Sequence, residues 1–220
     1  MRKCRICFQK TGRAIYISHL DLMRTMQRAF TRADISICHT EGFNPHPRMV
    51  FALPLSVGMS SDCELLDVEI ENDISFDKIP SLLNLVLPEG IVVKTAYAPE
   101  RKFKEIVWLT VSGKMEYDQL MTDDLLVRLG MLFSQDTLVI SKKSKKGFTD
   151  FDLIPCIQTI DFQEIDPKTF ALTAIITAQD PALNPENLIN AIRQHMPELA
   201  PDFTSFHRIE LRDVEFELFR

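Results

Sequence analysis

Glycine is scarce in this chain, seven residues in 220, and those present form no phosphate-cradling pattern. There is no Walker loop, no Rossmann glycine turn and no GxSxG elbow, which excludes P-loop nucleotide hydrolysis, dinucleotide-dependent redox chemistry and α/β-hydrolase chemistry. Long apolar runs are missing too. None approaches the roughly 18 residues needed to cross a bilayer, and the opening MRKCRICFQK lacks the apolar centre of a signal peptide. A cytoplasmic protein without membrane contact is expected. Five cysteines, Cys4, Cys7, Cys38, Cys63 and Cys156, are an odd number at irregular spacing, which argues against a disulfide framework. Cys4 and Cys7 have CxxC spacing, but no second pair follows. In an alternating strand the two point to opposite faces, which disfavours joint ligation.

Acid is rare at the start of the chain. Residues 1–50 hold nine Lys/Arg against Asp21, Asp34 and Glu41, a balance of +6 in a chain whose net charge is −6, so the other 170 residues carry −12. A basic N-terminal face on an acidic body predicts an anionic ligand there, the acidic remainder suppressing indiscriminate binding. With 45% hydrophobic and 25% charged residues, the chain has the composition of a folded protein. It is long enough for one large domain or two small ones.

The richest stretch is Cys38 to Ala52, CHTEGFNPHPRMVFA. Pro45 and Pro47 each fix φ and restrain the residue before them, so Asn44 and His46 are held near extended geometry. The apolar run Val50, Phe51, Ala52, Leu53, Pro54, Leu55 and Val57 predicts a buried strand or its exit, making the polar loop the rim of a core. Such a rim suits a site, and it also suits an irregular turn whose polar groups cap its own backbone.

Around this stretch the chain reads as strand Lys3–Gln9, turn, and helix His19–Ala33 with Ser18 as N-cap and Asp21 completing a capping-box-like pair. A strand Cys63–Glu71, a helix Ser75–Leu87 and a strand Ile91–Tyr97 follow. Strand, helix, strand, strand, helix, strand is the ferredoxin-like, split βαβ order. Ala98 to Lys104 reads as a boundary, after which the order repeats. A strand Ile106–Val111, a helix Tyr117–Phe133, a hairpin of Thr137–Ser141 and Phe148–Ile154, a strand Thr169–Ala178, a helix Asn184–His195 and a strand-like Thr204–Leu218 are expected. The fold class is therefore α+β, two ferredoxin-like domains in tandem, residues 1–98 and 104–220. The Lys142 to Gly147 tip with its four lysines serves solubility or adds a phosphate contact.

On the first helix Arg24, Arg28 and Arg32 fall at i, i+4 and i+8, one cationic stripe. Arg13, Lys10 and Arg48 extend the basic set, and Phe43, Asn44 and His46 offer stacking and edge hydrogen bonds. Together these nine residues predict an RNA-binding surface. His19, Asp21, His39 and His46 are the candidates for catalysis, either as acid/base groups of a metal-independent ribonuclease or, with Glu41, as metal ligands. No HxH or HExxH spacing supports the metal, so neither a metal nor a cofactor is expected.

Lys10, Gly12, Ser18, His19, Leu20, Asp21 and Arg24, then Glu41, Gly42, Phe43, Asn44, Pro45, His46 and Pro47, and then Pro54, Leu55 and Gly58 resemble the radical SAM-linked proteins, an uncharacterised bacterial family. The specific motifs lie in the first 70 residues. The resemblance implies a domain fused to or encoded beside a radical SAM protein. This chain lacks the CxxxCxxC of an iron–sulfur cluster, so the resemblance implies the accessory part. Element order also resembles the paired ferredoxin-like domains of the CRISPR RAMP-type endoribonucleases. The resulting expectation is an accessory that presents tRNA or rRNA to a radical SAM partner for modification. The alternatives are an enzyme in its own right and a protein-interaction module docking the radical SAM subunit.

Overall fold

The structure, a computed structural model, describes residues 1–122, 124–144 and 147–220. Over these residues it is mixed α+β, mostly sheet with four α-helices. It divides into two compact units, Met1–Glu105 with Arg220, and Ile106–Phe219.

The first unit contains β1 (Arg2–Lys10), α1 (His19–Arg32), β2 (Met49–Phe51), β3 (Ser60–Ile70), α2 (Ile79–Asn84) and β4 (Ile91–Tyr97). β1 lies between β4 and β3, β2 pairs the far side of β3, and every pairing is antiparallel. Alternation sorts β1. Cys4, Ile6 and Phe8 face a core built with Leu66, Val68 and Ile70 of β3, Leu22, Met26, Ala29 and Phe30 of α1, and Ile79 and Leu83 of α2. Burying side chains of this size contributes roughly 1.5–3 kcal/mol each.

α1 begins as its sequence dictates. Ser18 is extended and its hydroxyl accepts from the Asp21 backbone N–H at 3.2 Å, satisfying a donor that the first turn leaves open. α2 is shorter than expected: a 3₁₀ turn over Phe76–Lys78 precedes it, and it ends at Asn84. Asn84 leaves the helix to bond both backbone groups of Val93, at 2.9 and 2.8 Å. The run Val50 to Val57, expected as a buried strand or its exit, is mainly the exit. Only Met49–Phe51 pairs, and Val50 and Val57 are exposed while Leu55 is buried. Pro54 and the turn at Gly58 (φ +91°) prevent a continuous ladder.

Residues 98–105 belong to the first unit. Arg101 offers its carbonyl to Arg5 Nη2 at 2.8 Å, and the Phe103 ring lies 4.3 Å from the Arg5 guanidinium carbon.

The second unit contains β5 (Trp108–Glu116), α3 (Leu125–Phe133), β6 (Val139–Ser144), β7 (Gly147–Asp152), β8 (Ile157–Asp166), β9 (Thr169–Thr177), α4 (Glu186–His195) and β10 (Phe203–Arg212). Its sheet runs β10, β5, β9, β8, antiparallel throughout, with β6 and β7 forming a separate hairpin. Three expectations change here. α3 starts at Leu125 rather than Tyr117, whose hydroxyl bonds the Leu199 carbonyl at 3.0 Å. β10 stops at Arg212, and a turn follows. The sequence reading omitted β8 altogether. In the lysine-rich tip, Lys145 and Lys146 lie outside the described residues. No helix is long and apolar enough to cross a membrane among the described residues.

Candidate functional site

The loop between α1 and β2 is built from its neck upward. Cys38 N–H donates to the Glu69 carbonyl at 2.8 Å and Arg48 N–H to the Cys38 carbonyl at 2.8 Å. His39 faces Pro47 across an antiparallel bridge. Thr40 N–H then donates to the His46 carbonyl at 2.8 Å, while His46 N–H returns a bond to Thr40 Oγ1 at 2.9 Å. These reciprocal bonds, with Pro45 and Pro47 fixing φ, hold the tip from both sides. Gly42 at φ +123° makes the reversal, a backbone conformation that residues carrying a side chain rarely adopt. At the tip Phe43 is fully exposed, and Glu41, Asn44 and His46 are exposed beside it. A fully exposed phenylalanine on a stiffened loop keeps its apolar surface in water.

The start of α1 meets this segment through the His19 ring. The His19 imidazole stands edge-on to Phe51 with centroids 5.1 Å apart, and Phe51 in turn meets Phe8 at 6.2 Å. His19 thus reaches the strand that leaves the loop. His39 Nδ1 lies 3.1 Å from the Ile37 carbonyl, and Asp21 bonds Ser18 Oγ at 2.7 Å. Among the described residues no group of three His, Cys, Asp or Glu side chains could hold a metal ion. No three of His19, Asp21, His39, Glu41 and His46 therefore come together as a ligand set. The Ser18 hydroxyl holds the Asp21 carboxyl below its usual range, with Arg24 adding to the effect.

The hollow bordered by the loop lies on the other face of the sheet from the helices. Thr40, Pro47 and Arg48 lie with Lys3, Val50, Asp67 and Glu69 around a cavity of about 480 Å³. It contains paired charges. Arg48 bonds Glu69 at 2.9 Å, which raises the Arg48 pKa, and Asp67 is held by Arg5 through Nε at 2.7 Å and Nη2 at 2.9 Å. Arg5 is 1% exposed, and sequence reasoning counted it only as one more surface cation. The signal was available in the alternation: Arg5 and Asp67 fall on the non-core side of strands that pair in register.

The nine cations of residues 1–50 therefore separate. Arg2 bonds the Asn72 and Ile74 carbonyls and pairs with Asp73. Lys10 is buried and donates to the Ile15 and Ile17 carbonyls at 3.3 and 3.4 Å, and burial pulls its pKa down. The expected phosphate contact by Lys10 is corrected accordingly, because its ammonium ties down the turn. Arg24 pairs with Asp21 at 3.4 Å. Lys3, Arg13, Arg28 and Arg32 make no ion pair among the described residues and are exposed. Arg28 and Arg32 line a groove of about 310 Å³ with Thr25 and with Val86, Leu87 and Pro88 beyond α2.

A chain in the crystal structure of a Cbf5-Nop10-Gar1 complex is similar in fold, with a TM-score of 0.55 at 7% identity. The match covers 94% of this chain and 48% of that one, so this chain spans about half its length. An unknown protein from Galdieria sulphuraria follows at TM-score 0.27, with 8% identity over 94% of this chain and 98% of that chain. A glycine cleavage system transcriptional repressor follows at TM-score 0.24, with 12% identity and the same coverages. No curated protein sequence shows significant similarity to the chain. Residues 3–185 match the family described as uncharacterized protein conserved in bacteria, DUF2344, and the chain belongs to that family.

Proposed function

We propose that the chain is a cytoplasmic, non-catalytic RNA-binding accessory of a radical SAM protein, acting in the modification of a structured RNA such as tRNA or rRNA. The observation that carries this reading is the sorting of the basic residues. Five of the nine cations are used inside the unit, while Lys3, Arg13, Arg28 and Arg32 are left in water with no ion pair among the described residues. Like charges one turn apart weaken a helix by a few tenths of a kcal/mol, so the stripe is a cost that an anionic ligand offsets. Phe43 adds an aromatic face on a loop that is already stiff, which is the geometry for stacking an unpaired base. The radical SAM partner rests on the motif resemblance alone.

We also read each unit as a ferredoxin-like, split βαβ domain. Counting only the strands of the main sheet, and so leaving out the β6–β7 hairpin, each unit runs fourth, first, third, second strand with antiparallel neighbours throughout, which is the expected arrangement for that fold.

The test is filter binding against total RNA and duplex DNA with a salt titration. Neutralising several phosphates gives a steep fall of affinity with salt. A flat salt response, or no RNA retained at about 50 mM salt, would remove the proposal.

A further inference from the structure

We infer that the groove between α1 and the turn after α2 is a binding site for one nucleotide unit of a single-stranded RNA, holding its phosphate on Arg28 and Arg32 and its base or ribose against Val86, Leu87 and Pro88. The inference deepens the RNA-binding reading and rests on it.

The two walls differ in chemistry. On α1, Thr25, Arg28 and Arg32 follow one another at helical spacing along one side. Arg28 and Arg32 are one turn apart, about 6 Å along the axis, so their guanidinia can bracket a single phosphate group with charge-assisted hydrogen bonds. α1 has no acid after Asp21, and Asp21 is already bonded to Ser18 and Arg24. The cationic wall therefore has no internal counter-charge.

The other wall is apolar and fixed. Val86 and Leu87 N–H both donate to the Leu83 carbonyl, at 3.0 and 2.9 Å, and the Pro88 carbonyl accepts from Ile91 at 3.3 Å. Val86 and Leu87 also pack partly against the core. A fixed apolar strip facing two arginines matches a ligand with an anionic end and a flat weakly polar body. At about 310 Å³ the groove suits one unstacked nucleotide. A base inside a duplex is stacked and paired and cannot reach the strip.

The experiment measures binding of a fluorescein-labelled ten-nucleotide single-stranded RNA of mixed sequence to the whole chain at about 100 mM salt. The variants are R28Q/R32Q, T25E, which sets a carboxylate in the groove without removing an arginine, and K102Q/K104Q, which removes two exposed cations elsewhere. Circular dichroism confirms folding, and T25E keeps the test valid if the double arginine variant does not fold. The expected result is at least a tenfold loss for R28Q/R32Q and for T25E, less than twofold for K102Q/K104Q, and weak competition by blunt duplex RNA. If wild type binds the RNA with a steep salt dependence and the groove variants match the K102Q/K104Q control, the groove assignment is overturned while the RNA reading stands. If wild type binds no RNA, both fall. Equal competition by adenosine 5′-monophosphate at matched nucleotide concentration, or by a poly-glutamate peptide, overturns the assignment to an RNA strand.

Discussion

The His19 imidazole stands edge-on to the Phe51 ring, centroids 5.1 Å apart and planes at 80°, and this contact joins the start of α1 to the strand leaving the proline loop. Edge-to-face pairs add about 0.5–1.5 kcal/mol beyond their burial. Phe51→Ala should destabilise the first unit by about 2 kcal/mol, less than the 3–5 typical of a fully buried ring, and His19→Ala by about 1 kcal/mol. Urea denaturation of both singles and the double tests the link. The double should show a coupling of at least about 0.5 kcal/mol; strict additivity would mean that the edge contact contributes nothing.

Arg5 and Asp67 form an ion pair whose cationic side is 1% exposed and whose acidic side is 28% exposed. Breaking such a pair leaves a carboxylate facing a partly dry surface. Arg5→Met is expected to cost about 3 kcal/mol, and the double variant Arg5→Met, Asp67→Leu should recover much of that loss, because two apolar side chains need no counter-charge. Chemical denaturation of the three variants decides it, and a double variant no better than the single would show that Arg5 acts through Phe103 and the Arg101 carbonyl instead.

Ser18→Ala removes an N-cap and should cost about 1 kcal/mol of stability at neutral pH. The pH dependence has a defined sign. Ser18 lowers the Asp21 pKa in the folded state, so the charged form is favoured on folding. The contribution is complete above the unfolded carboxylate range, near pH 4, and is lost as pH falls through the lower folded value. The difference between wild type and Ser18→Ala should therefore narrow in acid. A gap that widens below pH 4 would contradict the Ser18–Asp21 bond.

Gly90 and Gly58 both adopt positive φ, +88° and +91°, but only Gly90 is crowded. A Cβ there would sit 2.3 Å from the Thr11 carbonyl oxygen and 3.0 Å from Ala14 Cβ, whereas nothing lies within 4 Å at Gly58. Gly58→Ala should cost about 1 kcal/mol from backbone strain. Gly90→Ala should cost more than about 3 kcal/mol, because Gly90 also accepts the Thr11 N–H at 2.7 Å. Thermal melts of the pair separate the two effects, and equal melting temperatures would refute the crowding.

Phe43 contributes nothing to the core. Phe43→Ala is expected to leave the unfolding free energy within about 0.5 kcal/mol of wild type while weakening single-stranded RNA binding by about tenfold, a stacking loss of roughly 1–3 kcal/mol. Fluorescence anisotropy beside a urea curve reads both, and unchanged RNA affinity would remove Phe43 from the interface.

Local chemistry makes several elements legible in the sequence. The Ser18 cap and the apolar spacing through Phe30 place α1 within one residue, because a helix start depends on bonds within one turn. Ile91–Tyr97 and the alternation of Leu66, Val68 and Ile70 follow from a period that burial enforces. β8 was not legible. Its apolar residues Ile157, Ile160, Phe162 and Ile165 are not evenly spaced, register shifts interrupt its pairing, and most of the strand is exposed, so burial imposes no clear period on its sequence.

The sequence by itself determined the element order of the first unit, the stiffness of the Asn44 to Pro47 loop and the basic bias of its first fifty residues, since these depend on side-chain type and near-neighbour spacing. Only the tertiary structure decided which cations are available. Arg5 meets Asp67 across 62 positions and Arg48 meets Glu69 across 21, while Arg28 and Arg32 face an apolar turn more than 50 residues on. A charge is spent or left free according to what folding brings opposite it, and strand pairing between distant segments sets that.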